Sequence, residues 1–96
     1  MPAYIIAMAN IKDAQKYGEY AKRAGPANAK HGSKFLVRGG KKTTLEGDIP
    51  FERIVVSEFP DVEAARKFYN SPEYQDARKH RLGACDFHMV VVEGAS

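Results

Sequence analysis

The sequence predicts a single α+β domain in which strands and helices follow the order βαββαβ. Four short segments are rich in β-branched and aromatic residues, as strands are. Apolar residues recur at helical spacing in the segments that follow the first and the third of them. A chain of 96 residues is long enough for one such domain with a modest core. This order produces a four-stranded antiparallel sheet with both helices on one face, which is the ferredoxin-like arrangement.

The first strand and the first helix occupy the first third of the chain. Residues 3–10 predict the strand, and Asp13 is the expected N-cap of the helix because its carboxylate can accept a free amide of the first turn. The helix should break or kink at Pro26, because proline removes an amide donor and clashes with the preceding turn. A further turn should then reach His31, and Gly32 should end it in the left-handed conformation.

The remaining elements follow from turn residues and apolar stripes. In chain order we expect a second strand at 34–38, a glycine-rich loop at 39–48, a third strand at 53–59, a helix from the Asp61 cap to Asn70, a helix that ends near Gly83, and a fourth strand at 86–93. Ser71 and Pro72 define the start of the last helix. The serine oxygen can accept an amide hydrogen bond, and proline has no amide to lose at the first helical position.

The predicted strands are apolar on both faces, which predicts a homodimer. Adjacent apolar residues occur in every strand, as Ile5-Ile6, Phe35-Leu36-Val37, Ile54-Val55-Val56 and Met89-Val90-Val91-Val92. An antiparallel sheet with one face in water should instead alternate apolar and polar residues. Two helices cover only one face, and the simplest cover for the other is the same face of a second copy.

The charge of the chain does not indicate a nucleic-acid partner. The net charge is +3, but the basic residues are spread along the sequence. RNA-recognition motifs share the βαββαβ order, yet they stack bases on exposed aromatic residues of the third strand. Here the segment 53–59 reads Arg-Ile-Val-Val-Ser-Glu-Phe, which offers aliphatic side chains and an acid instead.

No segment predicts membrane attachment or secretion. The longest apolar run, from Tyr4 to Ala9, is far shorter than the roughly 20 residues of a membrane span. The N-terminus lacks the basic start and small-residue cleavage site of a signal peptide. Cys85 is the single cysteine, so no internal disulfide points to secretion. We therefore expect a cytoplasmic protein without a membrane partner.

An ordered set of short motifs resembles one known family. The motifs are Tyr17/Tyr20, His31-Gly32, Arg38-Gly39-Gly40, Leu45-Glu46-Gly47, Glu58-Phe59-Pro60, Ala64-Ala65, Phe68-Tyr69, Ser71-Pro72-Glu73-Tyr74-Gln75, Arg81 and Glu93-Gly94. In order and spacing they resemble the bacterial domain-of-unknown-function 1330 family, within the dimeric α/β-barrel superfamily. One departure is Ser33, a position at which the family often has a second glycine.

The resemblance implies ferredoxin-like protomers whose sheets form a dimeric α/β barrel. It also implies a small-molecule pocket inside each protomer, between the sheet and the helices. The wider superfamily includes cofactor-free monooxygenases, lactone isomerases, haem enzymes and stress-responsive proteins. A shared fold therefore implies no single activity.

Arg38 is the first candidate for ligand binding. It ends the second strand and, in a regular strand, shares a face with Leu36, so its head should reach a cleft. An arginine there can hold a carboxylate or an enolate through paired hydrogen bonds. The alternative is an ion pair with Glu46 or Asp48 that fixes the loop. Both roles are compatible if the loop closes over a ligand, which makes Glu46 a candidate binding residue too.

A second group of candidates lies on the last helix. Tyr74, Arg78 and Arg81 fall at i, i+4 and i+7, on one helical stripe. Together with Tyr69 they can present hydroxyl and guanidinium groups to an anionic or oxygenated substrate. Alternatively, the stripe packs its aromatic residues on the sheet and pairs its arginines with Glu73 or Asp76.

The candidates for proton transfer are His88, His31 and Asp86. Asp86 and His88 are two apart on a strand, so they point to the same side and form the minimal general-base pair. His31 precedes a glycine at a helix end, where its charge suits the helix dipole and where it can line a pocket mouth. The alternative for His88 is a surface or interface histidine. No metal or cofactor is expected, because the three histidines have no recognised ligand spacing.

The leading functional hypothesis is a small homodimeric domain that binds a small anionic or oxygenated organic molecule, with or without cofactor-free catalysis. In an enzyme, Arg38 would hold the anion and His88 or His31 would transfer a proton. An alternative is a structural or interaction dimer without catalysis. A third hypothesis starts from Met1-Pro2, because tautomerases use a free N-terminal proline as a general base.

Overall fold

Four strands and three helices make up the computed structural model, which describes residues 1–95. In chain order they are β1 (Ala3–Ile11), α1 (Ala14–Lys30), β2 (Lys34–Arg38), β3 (Arg53–Phe59), α2 (Val62–Asn70), α3 (Pro72–Lys79) and β4 (Cys85–Glu93). The strands form one sheet in the order β2-β3-β1-β4, and every neighbouring pair is antiparallel. The predicted ferredoxin-like βαββαβ fold is confirmed, with α2 and α3 together in the second helical position.

Local capping accounts for the starts of the last two helices. The Asp61 carboxylate accepts the amide of Ala64 at 2.8 Å, and the Ser71 hydroxyl accepts the amide of Tyr74 at 3.2 Å. Pro72 follows Ser71 at the start of α3, as the sequence predicts. Helix α3 ends at Lys79 rather than near Gly83, because the chain then forms tight turns that lead into β4.

The sequence predicts a break or a kink at Pro26, and the break does not occur, since α1 runs without interruption from Ala14 to Lys30. Proline at this position removes the hydrogen bond to the carbonyl of Lys22, four residues earlier. Both Pro26 and Lys22 are exposed, so water can satisfy the free carbonyl. The predicted end of the helix is confirmed, because Gly32 has a φ of 74°.

One face of the sheet packs against the helices. Along β1, buried and partly exposed residues alternate from Ala3 to Ala9, as expected for a strand with one covered face. The largest fully buried side chains are Tyr74, Phe59 and Phe68, which come from α3, β3 and α2. This layer between sheet and helices also contains the two cavities described below.

The other face of the sheet carries apolar side chains that the helices do not cover. Val90 and Val92 of β4 are 49% and 47% exposed and lie beside Ile6 and Tyr4 of β1. Phe51 covers one end of this face, where its ring lies 5.0 Å from that of His88. The apolar pattern on both faces, from which the sequence predicts a dimer, is therefore present in the fold. We call this surface the open face.

No helix within residues 1–95 is both long enough and apolar enough to cross a membrane. The longest, α1, has 17 residues and is amphipathic, with Tyr17 and Tyr20 among the side chains that it buries. Its opposite side carries charged residues, among them Arg23, whose guanidinium pairs with Glu19.

Candidate functional site

A cavity of about 370 Å³ lies between α2, α3 and β4, and we call it the α3 cavity. Its polar lining consists of Arg66, Tyr69, Asn70, Arg78 and Arg81. Its apolar lining consists of Ile5, Ala65, Phe87, Met89, Val90 and Val91. Helix α2 brings Arg66, Tyr69 and Asn70 to the cavity because residues three and four apart share one helical face. No carboxylate lines the α3 cavity.

The arginines of the α3 cavity are not neutralised by acids of the described chain. The ion pairs of residues 1–95 involve Lys12, Arg23, Lys30 and His31 instead. Glu73, an acid expected to pair with the arginines of α3, contacts Lys30 at 3.3 Å and His31 at 3.1 Å. The predicted pairing of these arginines with Glu73 or Asp76 is therefore wrong, whereas Tyr74 of the same stripe does pack in the core.

Two nitrogens at the α3 cavity are buried without a hydrogen-bond partner. They are the Nε atoms of Arg78 and Arg81. Buried polar groups in proteins almost always have a partner, and each unpartnered one costs about 1–3 kcal/mol. Both Nε atoms are shielded from the solvent, so an anion in the cavity would contact the terminal nitrogens of these guanidinium groups instead. The α3 cavity is therefore suited chemically to an anionic group.

Arg81 is held in place by a buried chain of hydrogen bonds. Its Nη2 donates to the Tyr74 hydroxyl at 3.4 Å, and that hydroxyl shares a hydrogen bond of 3.0 Å with the hydroxyl of Tyr20. The guanidinium also lies 3.7 Å from the ring centroid of Phe87. Although burial acts to lower the pKa of Arg81, the hydrogen bond and the proximity of Tyr74 raise it, so the group stays charged. Burial raises the pKa of Tyr20, which keeps its hydroxyl protonated.

A second, smaller cavity of about 50 Å³ lies beneath α1, and we call it the α1 cavity. Arg38 lines this cavity and therefore lies on the helix side of the sheet. The prediction that Arg38 shares a face with Leu36 is wrong. The pairing of β2 with β3 shifts between Phe35 and Val37, so the bulge turns Arg38 to the helix side, where Phe35 also lies. The Arg38 guanidinium stacks on the Phe35 ring at 4.3 Å from its centroid.

The predicted ion pair between Arg38 and Glu46 or Asp48 is not formed in the described chain. Both acids lie in the loop between β2 and β3, where every residue from 40 to 50 is exposed. Glu46 lines neither the α1 cavity nor the α3 cavity. A role for it in ligand binding therefore requires the loop to move.

The predicted proton-transfer residues lie away from both cavities. Asp86 and His88 do share a side, but it is the open face, where they pair with Asn10 and Met8 of β1. Asp86 contacts Lys12 at 3.3 Å. The remaining candidates divide between the cavities, with Tyr69 and Arg81 at the α3 cavity and Tyr74 at the α1 cavity.

His31 connects two helices instead of lining a cavity. Its Nε2 lies 3.1 Å from Glu73 Oε1, and its ring packs edge-on against Phe68. The hydrogen bond from His31 is the main cause that lowers the pKa of Glu73. His31 thus ties the C-terminus of α1 to the first turn of α3.

Sequence reasoning missed Arg53, Arg66 and Asn70. Arg66 and Asn70 are one helical turn apart on α2, and Tyr69 lies beside them, so a helical projection would have placed all three on one face. Arg53 begins β3 and lies on the helix side of the sheet, the side that Val55 and Ser57 also face. Within residues 1–95 no group of three or more His, Cys, Asp or Glu side chains is arranged to hold a metal ion.

A family model described as "Domain of unknown function (DUF1330)" matches residues 2–95 of the chain. The search of curated proteins found no match to this chain. Among solved structures, the chain is similar to a protein of unknown function from Rhodopseudomonas palustris, RPA0582. The identity is 22%, the TM-score is 0.80, and the similarity covers 99% of this chain and 83% of that one.

Two further solved structures show the same fold at lower identity. SnoaB, a cofactor-independent oxygenase from Streptomyces nogalater, has 10% identity and a TM-score of 0.63, with 99% of this chain and 94% of SnoaB covered. A dimeric protein of ferredoxin-like fold from Bacteroides fragilis has 13% identity and a TM-score of 0.59, with 97% and 96% of the two chains covered. At these identities the similarity extends to the fold alone.

Proposed function

The chain belongs to the DUF1330 family, as its motifs imply, and we propose that it binds a small anionic organic molecule in the α3 cavity. The observation that carries this proposal is the set of three arginines around the cavity, which has no carboxylate in its lining. Guanidinium groups recognise carboxylates and phosphates through paired, charge-assisted hydrogen bonds.

The size and the apolar lining of the α3 cavity favour an organic ligand over an inorganic ion. Its volume of about 370 Å³ lies within the range of roughly 300–1,000 Å³ that is typical of small-molecule sites. Phe87, Met89 and Ile5 line it with apolar surface. A ligand with a ring or a short hydrocarbon body and one acidic group satisfies both parts of this lining.

Binding is favoured over catalysis by the placement of the titratable groups. A general base must lie within hydrogen-bond reach of the proton that it removes. His88 lies on the open face, and His31 is engaged by Glu73. The similarity to a cofactor-independent oxygenase supports cofactor-free catalysis only at the level of the fold.

We also propose that the chain forms a homodimer through the open face. Two observations support this assignment, the exposed valines of β4 and the dimeric relative from Bacteroides fragilis. Sheet packing of this kind leaves most of the α3 cavity lining free, because only Val90 of that lining also lies on the open face. A structural dimer without a ligand is the alternative, and the titration below distinguishes the two.

The substitution Arg78→Gln tests the proposed ligand site. Benzoate and phenyl phosphate serve as probes in isothermal titration calorimetry, because each combines an apolar ring with an anionic group. We expect Arg78→Gln to weaken probe binding by about tenfold or more, since a hydrogen bond to a charged group contributes about 1.5–3 kcal/mol.

The matched control is Arg23→Gln, which removes the same charge from an exposed position on α1 that pairs with Glu19. We expect this variant to bind the probes as the wild type does. Equal weakening of probe binding in both variants would show that the effect comes from the lower net charge of the protein and not from a site at Arg78. The absence of any probe binding to the wild-type protein would favour the purely structural dimer.

A further inference from the structure

We propose that the α1 cavity is a second and separate binding site, which takes the carboxylate group of a small organic acid. It uses Arg38 and Arg53, neither of which lines the α3 cavity. The proposal therefore stands independently of the function proposed for the α3 cavity. Four features of the α1 cavity support it.

The first feature is that both guanidinium groups lack an acidic partner. Neither Arg38 nor Arg53 takes part in an ion pair of residues 1–95. No carboxylate lines the α1 cavity. The Nε of Arg53 is buried without a hydrogen-bond partner, and such an unsatisfied donor is rare in a folded protein.

The second feature is that glycines make room for both guanidinium groups. A Cβ atom on Gly39 would lie 2.0 Å from Arg53 Nη1, a separation too short for any side chain to be tolerated without movement of Arg53. A Cβ on Gly25 of α1 would lie 3.2 Å from Arg38 Nη2. Gly39 also has a φ of 69°, a backbone conformation that favours glycine. Gly25 and Gly39 therefore leave room for two guanidinium groups beside one cavity.

The third feature is the surrounding set of neutral polar groups. Tyr17 lies beside Arg53, whose guanidinium carbon is 5.7 Å from the ring centroid. Burial raises the pKa of Tyr17, so that its hydroxyl stays protonated and is able to donate a hydrogen bond. Ser57 and Asn28 also line the cavity. These groups can bind an oxyanion without repelling it.

The fourth feature is the shape of the site. The interior space of about 50 Å³ is several times the roughly 10–15 Å³ that one water needs, and it suits a carboxylate group. An open hollow of about 440 Å³ adjoins it and shares Gly25, Asn28, Phe35 and Arg38 as lining residues. A ligand can therefore insert its carboxylate between α1 and the sheet and leave its body in the hollow.

The two cavities are adjacent, but no arginine lines both of them. Ile5, Phe87 and Met89 line both of them and form an apolar partition. The hydrogen bond between the hydroxyls of Tyr20 and Tyr74, and the one that Arg81 donates to Tyr74, lie in the same region. A carboxylate at Arg38 and an anion at Arg78 therefore bind to different guanidinium groups.

Chemical-shift titration of the ¹⁵N-labelled protein with propionate tests this second site. We expect propionate to shift the amides of Gly25, Asn28 and Gly39, and we expect Arg38→Gln to weaken this binding by about tenfold or more. The variant Arg78→Gln should retain the same shifts. Unchanged propionate binding in Arg38→Gln would overturn the proposal, and so would a loss of these shifts in Arg78→Gln.

A second pair of variants tests the site through its shape. Gly25→Leu should displace Arg38 and block the entrance, whereas Gly18→Leu places the same side chain on an exposed part of α1 with nothing within 4 Å. We expect only Gly25→Leu to lose propionate binding. Equal propionate affinity in both variants would contradict the assignment. Inorganic phosphate that binds at Gly25 and Gly39 as tightly as propionate would overturn the carboxylate class.

Discussion

Arg81 illustrates how single residues determine the chemistry of the α3 cavity. Its side chain is buried, yet its contacts are a tyrosine hydroxyl and aromatic rings, not a carboxylate. Burial of a charge costs free energy unless the charge is paired or hydrogen-bonded. The Tyr74 hydroxyl supplies part of that compensation, and an anionic ligand would supply more. The positive charge is thus a fixed feature of the site.

The substitution Tyr74→Phe tests the hydrogen-bond chain at this scale. It removes the hydroxyl that contacts both Tyr20 and Arg81 and leaves those two buried groups without this partner. We expect the free energy of unfolding in urea to fall by about 1–3 kcal/mol. Tyr69→Phe is the control, because the Tyr69 hydroxyl makes no hydrogen bond within the described chain, and it should change stability little. Equal stability of both variants would contradict this role of Tyr74.

Several residues of the site could be predicted from the sequence, because helical spacing is a local property. The predicted stripe of Tyr74, Arg78 and Arg81 is divided in the fold, since Arg78 and Arg81 line the α3 cavity together with Tyr69, whereas Tyr74 lines the α1 cavity. The histidines could not be placed in the same way. An alternating strand pattern shows that Asp86 and His88 share a face, but β4 is apolar at both parities, so the sequence does not distinguish the covered face from the open one.

At the scale of elements, predictions held where a boundary depends on local hydrogen bonds. The caps at Asp13, Asp61 and Ser71 each accept a nearby amide, and the helices begin where these side chains predict. The break predicted at Pro26 failed because the effect of a proline depends on whether water can reach the freed carbonyl. That exposure is decided by packing, which a local rule does not include.

The bulge in β2 shows a second limit of local reasoning. A regular strand places Arg38 with Leu36, but the irregular pairing with β3 inserts an extra residue and reverses the side chain that follows. The bulge depends on how two strands separated by a long loop align. It also has a functional consequence, because it turns Arg38 towards the α1 cavity.

At the scale of the whole molecule, the two faces of the sheet have different roles in this account. The helix side contains both cavities, and the open face carries exposed valines. The sequence predicted a covered face and a self-associating face because all four strands have apolar residues on both sides. Ligand binding and self-association are therefore assigned to opposite faces, and Val90 is the lining residue of the α3 cavity that also lies on the open face.

The substitution Val92→Asp tests self-association through the open face. In a sheet-packed dimer it buries an unpaired carboxylate, which is costly, so we expect the protein to become a monomer of about 10.7 kDa by analytical ultracentrifugation. Leu82→Asp is the control, because Leu82 is 50% exposed, close to the 47% of Val92, but lies in the turn after α3. A variant Val92→Asp with the same mass as the wild type would show that this face does not mediate association.

The central claim is that the α3 cavity binds an organic anion, and a crystal structure of the protein with benzoate tests it most directly. We predict a carboxylate oxygen within about 2.7–3.2 Å of a guanidinium nitrogen of Arg66 or Arg78, the usual range of such hydrogen bonds. The ring should lie against Phe87 and Met89. Benzoate bound elsewhere, with only water between these arginines, would contradict the account.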